Sequence, residues 1–95
     1  ELSRVTARNL YHIAQEAVTN ATRHSGGDTI VLRVERTPES FSLHIDDNGA
    51  GIAEGGGAGG MGLRNMRYRA ELVGGELAVR RAPEGGTRVR CDLLL

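Results

Sequence analysis

The segment Asp46-Asp47-Asn48-Gly49-Ala50-Gly51-Ile52 joins a regular strand pattern to a run of small, turn-forming residues. Just before it, apolar and polar residues alternate over positions 41–45, which is the two-residue period of a half-buried strand. Continuing that period places Asp47 on the apolar face and Asp46 on the solvent face. Because a carboxylate directed into a core is costly unless something pairs with it, Asp47 predicts a specific partner.

The glycines that follow Asp47 suggest what that partner is. Gly49 and Gly51 allow a tight turn and leave the backbone open to the close approach of a ligand. A side chain that only accepts hydrogen bonds, beside such an open surface, suits the amino edge of a purine. The alternative is an ordinary Asn-Gly turn at the end of a strand, with Asp47 capping it.

Composition narrows the class of protein. The 95 residues are enough for one domain, and twelve basic residues balance twelve acidic ones, so no overall charge favours nucleic acid or an anionic membrane. Three aromatic residues are too few for the stacking surface of a single-strand binder. The single cysteine, Cys91, cannot form an internal disulfide, which favours a reduced, cytoplasmic setting. No apolar run reaches the length of a membrane span.

A helix is predicted over about Arg4–His24, because apolar residues recur there at the helical period and Ser25-Gly26-Gly27 ends it. Its apolar face comprises Leu10, Ile13, Ala14, Ala17, Val18 and Ala21. On the other side, Glu16, Asn20 and Arg23 form a polar stripe. A solvated helix face is the ordinary explanation of such a stripe. Asn20, however, is a poor helix former with no cap to make, which favours a functional role.

Two β-hairpins are predicted, with a glycine-rich loop and a second helix between them. The first hairpin pairs Thr29–Glu35, which has one apolar face, with Phe41–Asp47. The second helix follows Leu63–Val73, and the last strand begins at Thr87 on its apolar face. This order predicts an α+β, two-layer sandwich with a mixed, mostly antiparallel sheet and its helices on one face.

Several kinds of binding site and catalytic site can be tested against this predicted order of helices and strands. Glycines just before the Leu63 helix favour anion binding by its free N–H groups. Residues 57–62 match the dinucleotide fingerprint G-x-G-x-x-G, but that motif needs a parallel βαβ unit, and hairpins dominate here. A zinc site from His12, His24 and Cys91 lacks the usual paired spacing. Nucleophilic catalysis has little support, because Cys91 lies on the apolar face of a predicted strand.

Four stretches, in this order, resemble the N, G1, G2 and G3 boxes of the ATP-binding domain of bacterial sensor histidine kinases, within the GHKL superfamily. They are Ile13–Ala21 with Arg23-His24, Asp47–Gly51, Gly60–Leu63 and Gly86-Thr87. The run Gly62–Glu71 with Gly74-Gly75 further resembles the nitrate-sensor-like subfamily, whose kinases pair with LuxR-type response regulators. The resemblance covers nearly the whole chain and implies that residues 1–95 are a single catalytic domain excised from a longer kinase.

The resemblance implies ATP and Mg²⁺ as ligands and assigns residues to the adenine. Asp47 would accept a hydrogen bond from the adenine amino group, and Thr87 would support that contact directly or through water. Gly49, Gly51 and Ile52 would border the base.

The phosphate end follows from the same resemblance. Asn20 would bind Mg²⁺ through its amide oxygen, and Arg23 and His24 would lie at the phosphates. Backbone N–H groups at the start of the second helix would bind the phosphates too, from Gly60, Gly62 and Leu63. Residues 53–61 would form the ATP lid. Glu16 would assist the transfer or organise the magnesium shell, and the sequence leaves both roles open.

The resemblance also implies partners. The γ-phosphoryl group would pass to a histidine on a separate dimerisation domain, and from there to a response regulator in two-component signal transduction. The isolated domain is expected to be a cytoplasmic monomer without nucleic acid or direct membrane contact, even where its parent is anchored in a membrane. Two alternatives remain, an anti-sigma-factor serine kinase on the same fold and a nucleotide-sensing module without chemistry.

Overall fold

A computed structural model describes residues 2–22, 29–49, 60–83 and 85–95. These residues form two helices and four strands: α1 (Arg4–Asn20), β1 (Ile30–Arg36), β2 (Ser40–Asp47), α2 (Gly60–Leu72), β3 (Glu76–Arg81) and β4 (Thr87–Leu94). The predicted order of helix, hairpin, helix and hairpin is therefore confirmed. The predicted end of the first helix at His24 and most of the predicted lid lie outside the described residues.

The four strands form one sheet in the order β1-β2-β4-β3, and every pairing among them is antiparallel. Each hairpin is a neighbouring pair, and the pairing of β2 with β4 joins the two hairpins. Ile45 at the middle of β2 lies between Leu32 on one side and Val89 on the other. This register places the last residues of β2 beside the first residues of β4, with Asp46 opposite Arg88.

Both helices pack against one face of this sheet, which confirms the predicted two-layer α+β sandwich. The core between the layers is apolar and buried, and its members are Leu10, Ile13, Ala17, Leu43, Ile45, Met66, Ala70, Val89, Cys91 and Leu93. Burial of such a set supplies most of the stabilisation of a domain of this size. No helix among the described residues is long and apolar enough to cross a membrane.

Strand β1 differs from the expectation of a half-buried strand. Leu32 and Val34 pair with the core residues Ile45 and Leu43 of β2, and Ile30 pairs with Asp47. Ile30, Leu32 and Val34 are nevertheless 39%, 52% and 51% exposed. The reason is position: β1 is an edge strand, and among the described elements the helices make their main sheet contacts with β2 and β3. The alternation therefore predicted the direction of these side chains correctly but not their burial.

Helix α2 ends where its glycines predicted and begins earlier than expected. Gly74 has a φ of 70°, and the N–H groups of Gly74 and Gly75 donate to the carbonyls of Glu71 and Ala70 at 3.1 and 2.9 Å. This is a Schellman ending. At its start, α2 already includes Gly60 and residue 61, so the helix overlaps the last two positions of the predicted lid, which ran from about residue 53 to 61. The first turn is held by packing, because Gly62 lies directly against α1.

Candidate functional site

A pocket lies between the helices and the sheet. It is lined by Ala17, Asn20, Ala21, Ile45, Asp47, Leu63, Met66, Val79, Thr87 and Val89. Its enclosed volume is about 20 Å³, which is room for about one water molecule. Four predicted site residues from four different elements, Asn20, Asp47, Leu63 and Thr87, line this one pocket.

Asp47 closes one end of the pocket from the last position of β2. Its Oδ1 accepts hydrogen bonds from the backbone N–H of Gly49 at 2.9 Å and of Thr87 at 3.3 Å. The first contact is the turn cap that the alternative interpretation expected. The second crosses to β4 and ties the carboxylate to the start of that strand. Asp47 thus caps its turn and also faces the pocket, so the two interpretations are compatible.

The turn before β4 fits closely against Asp47. Gly86 has a φ of 93°, and a Cβ at this position would collide with the backbone carbonyl of Asp47. Only glycine permits both features. On the other side, Asn48 and Thr29 exchange two hydrogen bonds, Thr29 N–H to Asn48 Oδ1 at 3.0 Å and Asn48 N–H to the Thr29 carbonyl at 3.2 Å. This end of the pocket is therefore held by contacts to the backbone.

The other end of the site lies where α1 meets the start of α2, and there Asn20 lines the pocket while Glu16 lies just outside its lining. Glu16 and Asn20 lie one turn apart on α1, and both reach Gly62. A Cβ at Gly62 would lie 2.6 Å from Glu16 Oε2 and 3.2 Å from both Asn20 Oδ1 and Nδ2. The N–H groups of the first three residues of α2, 60–62, have no acceptor within the helix, and the helix dipole favours an anion there. An acid, an amide and free N–H groups thus converge at this end.

A contact that the sequence did not predict lies two helical turns away. Asn9 on α1 is only 5% exposed, and its Nδ2 donates to the Val5 carbonyl at 3.0 Å. Its Oδ1 accepts a hydrogen bond from Arg69 Nη1 on α2 at 3.1 Å. The signal in the sequence was an asparagine inside a helix, seven residues before Glu16 and on the same side.

Other reactive side chains are poorly placed for catalysis. Cys91 is fully buried, and burial together with the neighbouring Asp92 raises the pKa of its thiol to about 11, so it stays protonated and unreactive. His44 is buried on the opposite face of the sheet, between Arg33 at 3.4 Å and Glu35 at 3.3 Å. Within the described part of the chain, no group of three His, Cys, Asp or Glu side chains could hold a metal ion.

Four of the predicted site residues lie outside the described part of the chain, namely Arg23, His24, Gly51 and Ile52. Their assignments remain predictions from the sequence. Gly49 is described, and it lies beside Asp47 through the hydrogen bond noted above.

The sequence profile of one family, the histidine kinase-, DNA gyrase B- and HSP90-like ATPases, matches residues 5–95. The chain is 37% identical over 84 residues to the nitrate/nitrite sensor protein NarX of Escherichia coli, covering 87% of this chain and 14% of that protein. It is 35% identical over 82 residues to the sensor protein VraS of Staphylococcus saprophyticus, covering 85% of this chain and 24% of that protein.

Two solved structures share the fold. The histidine kinase domain of a blue-light activated histidine kinase from Erythrobacter litoralis superposes with a TM-score of 0.79 at 30% identity, covering 94% of this chain and 44% of that one. The ATP-binding domain of PrrB from Mycobacterium tuberculosis superposes with a TM-score of 0.74 at 29% identity, covering 87% and 64%. The profile match spans nearly the whole chain and agrees with the geometry of the pocket. The chain therefore belongs to the family of histidine kinase-, DNA gyrase B- and HSP90-like ATPases.

Proposed function

We propose that this domain binds Mg-ATP and donates the γ-phosphoryl group to a histidine on a separate dimerisation domain, in two-component signalling. One observation carries the proposal. Asn20, Asp47, Leu63 and Thr87 line one pocket, and Glu16 lies beside it, next to Asn20 and the start of α2 at Gly62. The similarity to sensor proteins and to a histidine kinase domain supports it.

The two ends of the pocket suit the two ends of the nucleotide. Asp47 would accept from the adenine amino group, with Thr87 beside it, so we call Asp47, Gly86 and Thr87 the adenine end. The N–H groups at the start of α2 would donate to the phosphates, so we call Glu16, Asn20 and Gly62 the phosphate end. Apolar side chains between the two ends, such as Ile45, Met66 and Val89, would pack against the base.

Residues of the phosphate end also fit a magnesium ion. Mg²⁺ takes oxygen ligands and keeps several waters, and Asn20 Oδ1 and the Glu16 carboxylate lie on the same side of α1 next to Gly62. Asn20 would hold the ion directly, and Glu16 would orient its waters. Bound magnesium would neutralise charge on the phosphates that are being transferred. Catalysis by this chain would then consist mainly of positioning the γ-phosphate for the incoming histidine.

The partners of this proposal lie outside the domain. The chain spans 14% of NarX and 24% of VraS. The proposal therefore includes the acceptor histidine, the response regulator and the cytoplasmic location of the domain. As a module that meets its acceptor on another domain, the domain would be monomeric by itself.

Calorimetric titration with ATP, with and without Mg²⁺, tests the binding step. Wild type should bind ATP more tightly with Mg²⁺, and Asn20→Ala should lose most of that difference, because its amide oxygen is the proposed ligand. Gln15→Ala is the matched control, since Gln15 is an exposed residue of the same helix. Absence of ATP binding by folded wild type, or an unchanged magnesium dependence in Asn20→Ala, would contradict the proposal.

Reconstitution tests the transfer step. The domain is mixed with the dimerisation domain of a nitrate-sensor-like kinase and with ATP labelled at the γ-phosphate. We expect an acid-labile label on histidine, since phosphohistidine hydrolyses in acid. An acid-stable label on a serine substrate would favour the anti-sigma-factor kinase. ATP binding without any label would favour the nucleotide-sensing module.

A further inference from the structure

The hydrogen bond between Asn9 and Arg69 joins α1 and α2 at a distance from the pocket. Both polar atoms of the Asn9 amide are engaged, Nδ2 with the Val5 carbonyl and Oδ1 with Arg69. Because Asn9 is 95% buried, loss of the Arg69 donor would leave its oxygen without a partner in a place that water reaches poorly. The hydrogen bond between Asn9 and Arg69 therefore requires a defined position of one helix on the other, and its loss would be costly.

The spacing of this contact matches the spacing of the phosphate end. Asn9 precedes Glu16 by seven residues on α1, and Arg69 follows Gly62 by seven residues on α2. In an α-helix seven residues span about 10 Å, which is two turns on the same face. Asn9 meets Arg69 and Glu16 meets Gly62, so the two helices run antiparallel with equal lengths between their two contacts.

The helix contacts between these two points are less directional. Ile13 and Met66 pack there as part of the core, and apolar packing depends on area and shape rather than on the alignment of particular atoms. A hydrogen bond, in contrast, weakens steeply with distance and angle. The bond between Asn9 and Arg69 is thus a contact that is sensitive to sliding of α2 along α1.

We propose that Asn9 and Arg69 are positioning residues that set the register of α2 on α1 and so hold Gly62 against Glu16 and Asn20. This inference rests on the proposed function, because the site that it positions is the proposed phosphate end. A shift of α2 would move its N-terminal N–H groups relative to Asn20 and leave Asp47 and Thr87 in place, since those two residues belong to the sheet.

The test compares ATP with adenosine as ligands of the same variants. Arg69→Met removes the donor but keeps most of the aliphatic stem, and we expect its affinity for Mg-ATP to fall about five- to tenfold, the loss expected for one hydrogen bond. Its affinity for adenosine should not change. Arg69→Lys, which keeps one donor, should recover part of the loss. Arg67→Met is the matched control, because Arg67 is exposed on the same helix.

A double-mutant cycle identifies the partner. If Arg69 acts through Asn9, then Asn9→Ala combined with Arg69→Met should lose no more ATP affinity than the larger single variant. Additive losses would show that the two residues act independently. An equal loss of ATP and adenosine affinity, together with a lower melting temperature, would show a general structural role. Either result overturns the inference.

A measurement without nucleotide separates this inference from the proposed function. In the NMR spectrum of the unliganded domain, Arg69→Met should shift the amide resonance of Gly62, and Arg67→Met should leave it unchanged. A Gly62 resonance that Arg69→Met does not move overturns the register role, whatever the domain binds. Failure of wild type to bind ATP overturns the proposed function, while a shifted Gly62 resonance would still support the register.

Discussion

Gly86 at the adenine end and Gly62 at the phosphate end are both required to be small, but for different reasons. A Cβ at Gly86 would meet the backbone of Asp47, and its φ of 93° is itself unfavourable for other residues. A Cβ at Gly62 would meet only the tips of two side chains, Glu16 and Asn20. Backbone atoms in a sheet cannot move aside, whereas side-chain tips can.

The comparison shows how the two ends are held. The adenine end depends on sheet register and on hydrogen bonds to backbone N–H groups, from Gly49 and Thr87 to Asp47. The phosphate end depends on how α2 packs on α1. Gly86 is therefore a requirement of the fold, and Gly62 is a requirement of the proposed ligand. Substitutions at these two glycines should accordingly separate stability from binding.

Gly86→Ala should have the largest effect, on stability. The unfavourable φ and the collision with the Asp47 backbone should together cost about 3 kcal/mol or more in the free energy of unfolding, measured by urea denaturation. Gly74→Ala is the matched control, because Gly74 has a φ of 70° but no atom within 4 Å of its added Cβ. It should cost only about 1–2 kcal/mol. Equal losses would show that the close approach to Asp47 is unimportant.

Asp47→Ala should have the next largest effect, on binding. Hydrogen bonds to a charged group contribute about 1.5–3 kcal/mol, so affinity for ATP should fall about 10- to 150-fold by calorimetry. Asp46→Ala removes the same group one position earlier, on the opposite face of β2, and should bind ATP like wild type. If both variants bound equally well, the carboxylate would not contact the base.

Gly62→Ala should have the smallest effect, again on binding. Its methyl group would displace the tips of Glu16 and Asn20 and lower ATP affinity about tenfold, or about 1.4 kcal/mol. Stability should hold or rise by up to about 1 kcal/mol, because alanine favours a helix more than glycine does. Asn65→Ala, at an exposed position of α2, is the control for binding. If Gly62→Ala lost stability rather than ATP affinity, then Gly62, like Gly86, would be a requirement of the fold.

Much of the fold could be predicted because its signals are local. The alternation of β2 predicted that Asp47 faces the core, and the pair Gly74-Gly75 predicted the end of α2. The exposure of β1 could not be predicted, because a strand pattern does not say whether a strand lies at the edge of the sheet. Nor could burial of His44, which depends on Arg33 and Glu35 of the neighbouring strand.

The site could be predicted only in part, for the same reason. Asn20, Asp47 and Thr87 carried signals of their own, each a residue type that did not fit its position. Arg69 carried none, since an arginine on a helix is ordinarily a solvated side chain. Its role depends on Asn9, sixty residues away along the chain, and only the antiparallel packing of the two helices brings them together.

The sequence by itself determined the order and type of the elements, the direction in which Asp47 points, and the four stretches that resemble the boxes of the family. These follow from short-range periodicity, turn chemistry and residue order. The tertiary structure decided the pairing of β2 with β4, which brings the N–H of Thr87 to Asp47, and the register of α2 on α1, which brings Gly62 to Glu16 and Asn20. Those contacts join residues that are far apart in the sequence. Their geometry depends on the packing of the helices against each other and against the sheet.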